Sequence, residues 1–297
     1  MDLRATGLWF YPDGLTSDEC VAFARRVESL GYSALWLPEA GGRDPFVLAA
    51  RLLDHTSRLV VATGVANVYA RDAMAMKAAQ HTLAEQSGGR FLLGIGISHR
   101  LLVEDVRGHV YGRPVSAMKA YLDRFEAASF GATPPPERPP VVLAALGPRM
   151  LELARDRADG AHPYMVTPEH TRGARAILGP DRLLCTEQKV VLEPDRARAL
   201  AIARGSAAIS MGLTLPNYRN SLIRQGFDES DFDASLPRGV SERVVEAVVA
   251  MGDAAALRAR VDAHASAGAT HVCVHPLHPE GSSVPHWPTI EALAPRG

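Results

Sequence analysis

Apolar runs and amphipathic segments alternate along the whole chain. Eight short runs predict strands, and most are apolar on both faces, as strands covered by helices are; they span residues 6–10, 34–39, 59–69, 91–98, 141–146, 160–165, 183–192 and 271–276. Helical periodicity fills most of the gaps, at about 72–87, 115–130, 148–158, 168–178, 195–211, 241–251 and 253–267. Eight such units in 297 residues predict an α/β fold of one closed (β/α)8 TIM barrel, with 1–297 as a single domain.

Helix-start signals support this assignment. Thr16 and Glu19 have the spacing of a capping box, and Asp44 stands as an N-cap before Pro45. A doubly wound open sheet is the rival fold, but no GxGxxG turn opens an early helix. The barrel is therefore the preferred interpretation.

Two segments depart from the repeat. Residues 134–140 (PPPERPP) predict a stiff extended connector. Residues 212–239, with two prolines and scattered aromatic and charged side chains, predict an insertion between strands seven and eight. Such an insertion either covers the mouth of the barrel or forms a surface excursion, and the sequence leaves both alternatives open.

Composition narrows the classes of function. A net charge of −1 excludes a strongly basic surface for nucleic acid or an anionic membrane. The three cysteines are far apart, and the N-terminus has no long apolar stretch, so we expect a cytoplasmic protein. His275, His278 and His286 lack the carboxylates that would complete a metal site, and we predict no metal.

Small and polar residues gather at the ends of the predicted strands, where parallel α/β proteins bind ligands. Glu39 ends the second strand, and Gly64 and Asn67 lie near the end of the third. Gly96 lies near the end of the fourth strand, followed by the donors Ser98 and His99. Each residue has a plainer interpretation, as a loop acid, a packing glycine or an exposed histidine. Together they predict a flat ligand against the strand ends.

Two later strands end in a proline that begins a helix, at Leu146-Gly147-Pro148 and Val166-Thr167-Pro168. Free N–H groups at such helix starts bind anions, and barrels often bind phosphate in their later loops. Ordinary helix initiation explains the same residues. No GxSxG elbow or cysteine with a nearby base is present, so covalent hydrolase chemistry is unsupported.

Several segments, taken in order, resemble the bacterial luciferase-like superfamily. They are GYSALWLPE at 31–39, ATGVANVY, RFLLGIGISH, VYGRPVSAMKAYLD, LAALGPRMLELARDRADGA, and GATHVCVH at 268–275. More narrowly, they are similar to the branch that uses the deazaflavin coenzyme F420. The resemblance covers nearly the whole chain and is weakest over 212–239.

The resemblance implies a deazaflavin at the C-terminal mouth of the barrel and a non-prolyl cis peptide at Gly64–Val65 behind its ring. It also implies a homodimer. The cofactor-binding residues that it suggests, together with the helix-start residues above, are Glu39, Gly64, Val65, Asn67, Gly96, Ile97, Ser98, His99, Ala144, Ala145, Leu146, Gly147 and Thr167. The basic side chains that some relatives use for phosphate have no obvious counterparts here.

One departure bears on the reaction. Alcohol-oxidising relatives have a histidine base directly after the acid, where this chain has Ala40. We therefore predict an oxidoreductase in which reduced F420 donates hydride to a small C=C or C=N substrate, as in natural-product biosynthesis. Glu39 and His99 are the catalytic candidates. The candidates for substrate binding are Arg43, Tyr69, Tyr164 and His275.

Two other functions stay open. The first is an FMN-dependent monooxygenase of the same superfamily, which would differ in needing oxygen and in the shorter tail of its cofactor. The second is a barrel that binds without catalysing; polar groups at several successive strand ends argue against it.

Overall fold

The alternating pattern closes into a barrel in the computed structural model, which describes residues 1–3, 6–210, 213, 215–233 and 235–295. Within these residues the strands are β1 (Gly7–Trp9), β2 (Ala34–Leu37), β3 (Val60–Thr63), β4 (Ala66–Asn67), β5 (Phe91–Gly96), β6 (Val141–Leu143), β7 (Gly160–Ala161), β8 (Leu183–Leu192), β9 (Val249–Gly252) and β10 (His271–Pro276). All pairings are parallel, and β10 closes the ring by pairing with both β1 and β8. The predicted (β/α)8 barrel is confirmed.

Helices surround the strands. They are α1 (Ser17–Ser29), α2 (Pro45–Asp54), α3 (Ala73–Gln86), α4 (Pro114–Ala127), α5 (Pro148–Arg157), α6 (Pro168–Leu178), α7 (Arg196–Gly205), α8 (Ala207–Ser210), α9 (Pro216–Ile223), α10 (Glu242–Val248), α11 (Ala254–Ser266) and α12 (Trp287–Ala292). None of the described helices combines the length and apolar character that a membrane span requires.

Both predicted helix starts are confirmed. Thr16 N–H donates to Glu19 Oε2 at 2.7 Å, and Glu19 N–H donates back to Thr16 Oγ1 at 3.3 Å. Asp44 Oδ1 accepts from the backbone N–H groups of Phe46 and Val47 at 2.8 and 3.1 Å. Each cap pairs N–H groups that the helix itself leaves free, an effect of about 1 kcal/mol.

The predicted strand at 59–69 is interrupted rather than continuous. It divides into β3 and β4 at a cis peptide between Gly64 and Val65. The strand predicted at 160–165 is shorter than expected: only Gly160 and Ala161 pair as β7, and Met165 has a left-handed φ of 60°. In both places the backbone leaves the extended conformation just where the strands reach the mouth of the barrel.

The helix predicted over 241–251 is wrong in its last turn. Helix α10 ends at Val248, and Val249–Gly252 form β9, which pairs with Lys189–Leu192 of β8. The open ladder edge of β8 gives these backbone groups sheet partners, which overrides their helical period. The helix predicted over 195–211 breaks into α7 and α8, and its last residue, Met211, lies outside the described residues, as do parts of the predicted 212–239 insertion.

Among the residues that the structure describes, buried apolar side chains form three clusters. One fills the barrel interior, with Trp9, Trp36 and Val142 among its members, and a larger one lies between strands and helices. The third joins α7, α9 and α10, with Leu200, Leu222 and Val244. The insertion therefore packs on the outside of the barrel, against α7, α10 and the strand residues Val191 and Val249, rather than inside it.

Candidate active site

A cavity of about 580 Å3 opens at the carboxyl ends of the strands. A smaller part of about 190 Å3 adjoins it, over the ends of β1 to β4. Both parts are lined by Val65, Gly96, Ser98, His99, Ala144, His162, Tyr164 and Tyr218. The two therefore form one continuous site at the position where barrels of this kind bind ligands.

The cis peptide Gly64–Val65, which the resemblance predicted, is confirmed. Trp9 Nε1 donates to Gly64 O at 3.0 Å, and Gly64 N–H donates to Leu37 O at 2.8 Å. A Cβ at Gly64 would lie 2.7 Å from Trp9 Nε1, so only glycine fits. Barrel strands thus hold this peptide on two sides and present Val65 to the cavity.

One wall of the cavity is smooth because Gly96 has no side chain. A Cβ there would lie 2.6 Å from Val65 Cγ2 and 3.1 Å from Ala144 Cβ. The ends of three neighbouring strand segments consequently meet as a surface of backbone and small apolar groups. Such a surface accommodates a flat ring, in agreement with the interpretation of the glycines from sequence.

Glu39 lines the smaller part of the cavity, but both of its carboxylate oxygens are occupied. Oε2 accepts from Asn67 N–H at 2.7 Å, and Oε1 pairs with Arg71 Nη1 at 2.6 Å. The Glu39 side chain is 7% exposed, so this pair is largely shielded from water. In this arrangement Glu39 fixes the end of β4; Asn67 also lines the cavity.

Ser98 and His99 line both parts of the cavity. Ser98 has a left-handed φ of 58°, and its carbonyl accepts from Tyr111 Oη at 3.2 Å. Burial lowers the pKa of His99, although a hydrogen bond to Asn217 opposes that shift. His99 is therefore a neutral imidazole against the ring of Tyr218, with 5.7 Å between the ring centroids.

Sequence reasoning missed His162, which follows β7 directly and is 2% exposed. Its Nδ1 lies 2.7 Å from Cys185 O, and its ring stacks on Trp36 at 4.3 Å with an interplanar angle of 9°. Burial lowers the pKa of His162 from 6.5 to about 4. The residue is thus a neutral imidazole in the wall of both parts of the cavity.

Below the cavity, β8 carries a buried charged pair, Glu187 and Lys189, in a strand that is apolar at both ends. Glu187 Oε1 pairs with Lys189 Nζ at 2.9 Å and with His275 Nδ1 at 3.0 Å, while Oε2 accepts from Met165 N–H at 3.0 Å. Burial alone would raise the pKa of Glu187, but Lys189 and His275 lower it to about 2. Lys189 Nζ also lies 3.5 Å from the ring centroid of Tyr164.

The roof of the cavity is formed by the inserted segment. Asn217, Tyr218 and Asn220 of α9, and Arg224 just after it, line the larger part. These contacts agree with the alternative in which the insertion covers the mouth. No sequence signal joined α9 to the strand ends, because the contact depends on how the insertion folds back.

A basic side chain also faces the start of α5. Gly147 is the N-cap of that helix, and a Cβ on it would lie 3.6 Å from Arg224 Nη2. Arg149 lines the same end of the cavity. A helix N-terminus beside a guanidinium is suited to an anion. The basic side chain beside this helix start, which the sequence did not reveal, is therefore Arg224, directly after α9.

The structure brings most of the candidate residues to the cavity. Besides the residues that line both parts, they are Glu39, Gly64, Asn67, Ile97, Ala145, Leu146 and Gly147.

Four candidates lie elsewhere. The Arg43 guanidinium donates to Leu15 O, and Tyr69 Oη accepts from Gly112 N–H at 2.9 Å outside the cavity. Thr167 Oγ1 caps α6 and donates to Gln225 Oε1 at 2.7 Å, while His275 is held by Glu187 beneath the cavity. Each of these side chains has protein partners that turn it away from the lining.

Comparison with known proteins identifies the family. The model for luciferase-like monooxygenases matches residues 6–271. The chain belongs to this family. The matched luciferase-like segment contains the barrel strands through β9, the cis peptide and the roof.

Two curated relatives are similar in sequence. A Mycobacterium tuberculosis protein named as a coenzyme F420-dependent oxidoreductase is 26% identical over 275 residues, covering 78% of this chain and 75% of its own. The 5,10-methylenetetrahydromethanopterin reductase of Archaeoglobus fulgidus is 24% identical over 257 residues, covering 77% and 75%. Among solved structures, an F420-dependent secondary alcohol dehydrogenase with an F420–acetone adduct superposes with a TM-score of 0.76 at 12% identity, over 98% of this chain and 97% of its own. At that identity the likeness supports the fold.

The low pKa of His162 predicts a pH dependence of stability. The unfolded chain takes up a proton on this histidine below about pH 6.5, whereas the folded chain does so only near pH 4. Folded-state stability is therefore lost as the pH falls through this window. Between about pH 7 and pH 5, we expect the unfolding free energy of wild type to fall by about 2 kcal/mol more than that of the His162→Gln variant.

Urea unfolding at the two pH values measures this difference. His109→Gln, at an exposed histidine, is the matched control and should lose as much as wild type. An equal loss in the His162 variant and the wild type would contradict the assignment of a neutral buried imidazole.

Proposed function

We propose that this protein is an F420-dependent reductase that transfers hydride from reduced F420 to an unsaturated C=C or C=N bond of a small molecule. A role in natural-product biosynthesis and a cytoplasmic homodimer are part of the same proposal. The observation that carries it is a smooth-walled cavity that runs from Gly96 to a basic helix start at Gly147.

The residues present fit a flat ring with an anionic tail. Val65, Gly96 and Ala144 form the smooth wall, where an added Cβ would already be too close to its neighbours. The N-terminus of α5 and Arg224 lie at the far end of the same cavity. These residues would hold, respectively, the deazaflavin ring and the phosphate of its tail.

Family relationship favours F420 over FMN. One curated relative described above is named as an F420-dependent oxidoreductase, and the other is named as a reductase. The family description, luciferase-like monooxygenase, keeps an FMN-dependent monooxygenase as the second candidate. The smooth wall suits either ring, so a binding measurement has to separate the two.

When bound, reduced F420 supplies the hydride, and the protein has to position the acceptor and provide a proton. The α9 roof covers the opening with Tyr218 and so limits the access of water to the strand ends. Tyr164 lines both parts of the cavity, and burial raises the pKa of its phenol well above the ordinary value. Its Oη therefore stays protonated and is our candidate proton donor.

The proposed direction of reaction rests on the groups in the smaller part of the cavity, since the imidazole of His99 is engaged by Asn217 and packs against Tyr218 of the roof. Ala40 lines the cavity where a base would be needed, and the carboxylate of Glu39 is already held by Arg71 and Asn67. The imidazole of His162 has a pKa of about 4 and is a weak base towards an alcohol. These features favour reduction over alcohol oxidation.

The first test combines binding and turnover. We expect the purified protein to bind F420 and not FMN, and to consume reduced F420 with 2-cyclohexen-1-one or 1-pyrroline. Isopropanol and glucose with oxidised F420 should give no turnover. Efficient oxidation of either alcohol, with no reduction of the enone or imine, would refute the proposed direction; binding of FMN alone would favour the monooxygenase.

The Tyr164→Phe variant tests the proton donor. Loss of the hydroxyl should lower kcat for enone reduction by at least about tenfold, because general acid catalysis contributes that much or more. The Kd for F420 should change little. Tyr32→Phe is the control, since Tyr32 Oη donates to Ile290 O at 2.7 Å, outside the cavity. Wild-type kcat in the Tyr164 variant would remove Tyr164 from this role.

The Arg224→Gln variant tests the tail subsite. We expect the Kd for F420 to rise about tenfold, because a charge-assisted hydrogen bond to phosphate is lost. The Kd for the tail-free chromophore, 8-hydroxy-5-deazariboflavin, should not change. Arg219→Gln, in α9 but paired with Glu229, is the matched control. Equal weakening of both ligands would contradict a phosphate subsite at Arg224.

A further inference from the structure

We propose that Nε2 of His162 accepts a hydrogen bond from the imide N–H of the ring bound in the cavity. The inference rests on the proposed function only in requiring that the cavity hold such a ring. It assigns to His162 a binding role that the sequence pattern did not indicate.

The tautomer of His162 follows from its backbone partner. Nδ1 lies 2.7 Å from Cys185 O, and a carbonyl oxygen only accepts hydrogen bonds. Nδ1 therefore carries the proton, and a neutral ring leaves Nε2 as a bare acceptor. The low pKa of His162, caused by burial, keeps the ring neutral at physiological pH.

The orientation of the His162 imidazole is fixed by the residues beneath it. His162 stacks on Trp36, and Trp36 Nε1 donates to His271 Nε2 at 3.0 Å. His271 Nδ1 in turn donates to Leu3 O at 3.0 Å. Because each ring in this series is held by the next, Nε2 of His162 has a defined position beside Gly64, just beneath the surface of the cavity wall.

That acceptor has no protein partner among the described residues. It is buried, and it lies 3.3 Å from the position that a Cβ on Gly64 would occupy. His264 shows the usual arrangement: it is fully buried, and its two nitrogens pair with Thr171 Oγ1 and Gln188 Oε1, both at 2.8 Å. An unpaired buried acceptor is unfavourable, so a ligand donor at His162 would complete the site.

The chemistry of the ring identifies the donor. A flavin and a deazaflavin share a pyrimidinedione edge with two carbonyl acceptors and one imide N–H between them. A bare imidazole nitrogen complements only the N–H. The inference therefore holds for F420 and for FMN, and it does not depend on which one the protein uses.

The experiment compares two ligands on four proteins. The ligands are 8-hydroxy-5-deazariboflavin and its N3-methyl derivative, and Kd is measured by fluorescence titration. The proteins are wild type, His162→Phe, His162→Gln and His264→Phe. Phenylalanine keeps a flat ring against Trp36 without an acceptor, whereas the glutamine amide restores an acceptor oxygen.

We expect wild type to bind the parent ligand about tenfold more tightly than the N3-methyl derivative, the range for a buried hydrogen bond. In His162→Phe the Kd of the parent should rise about tenfold, and the two ligands should bind equally. His162→Gln should recover part of the preference. His264→Phe should keep the wild-type preference while losing thermal stability, which separates binding from folding.

The outcomes distinguish this inference from the proposed function. Wild-type Kd and wild-type preference in His162→Phe would overturn the role of His162 while leaving F420 binding intact. If wild type binds FMN and not the deazaflavin, the F420 proposal fails, and FMN with 3-methyl-FMN tests His162 in the same way. A wild-type protein that binds neither ring overturns both.

Discussion

A single buried carboxylate, Glu187, holds the floor of the site together. It pairs with Lys189 on its own strand, with His275 on β10 and with the N–H of Met165 after β7. A carboxylate without these partners would be very unfavourable in the barrel interior. From His275 the contacts continue: its ring packs on Trp9 at 4.3 Å, and Trp9 donates to the carbonyl of the cis peptide. The wall of the cavity thus depends on charges placed below it.

The sequence predicted what local patterns determine. Strand and helix alternation, the caps at Thr16 and Asp44, and the glycines at strand ends all act over a few residues, and the structure agrees with them. The polar interior was not predictable. Glu187 and Lys189, with Thr186 and Gln188, form a polar stretch in a strand that is apolar at both ends, and only the barrel register shields these side chains from water.

Residues whose role depends on distant partners were assigned least well. His162 stood in GAHPYMV with no signal of its own, since its importance comes from Cys185 and Trp36, far away in sequence. Arg43 and Tyr69 were adjacent to true site residues along the chain, yet both bind backbone groups outside the cavity. A position near the end of a strand is therefore weaker evidence that a residue belongs to the site than the contacts that the neighbouring loop makes in the fold.

The packing of the roof outside the barrel interior has an evolutionary consequence. Leu222, Val240 and Val244 belong to a cluster beside the barrel, whereas Trp9 and Trp36 belong to the one inside it. Side chains of α9 that face the cavity, such as Asn217 and Asn220, can accordingly change without disturbing the barrel interior, and an altered roof meets the same smooth wall. Natural selection can in this way diversify substrate preference on an unchanged scaffold, and a protein engineer can exchange the cavity-facing side chains of α9 while keeping Arg224.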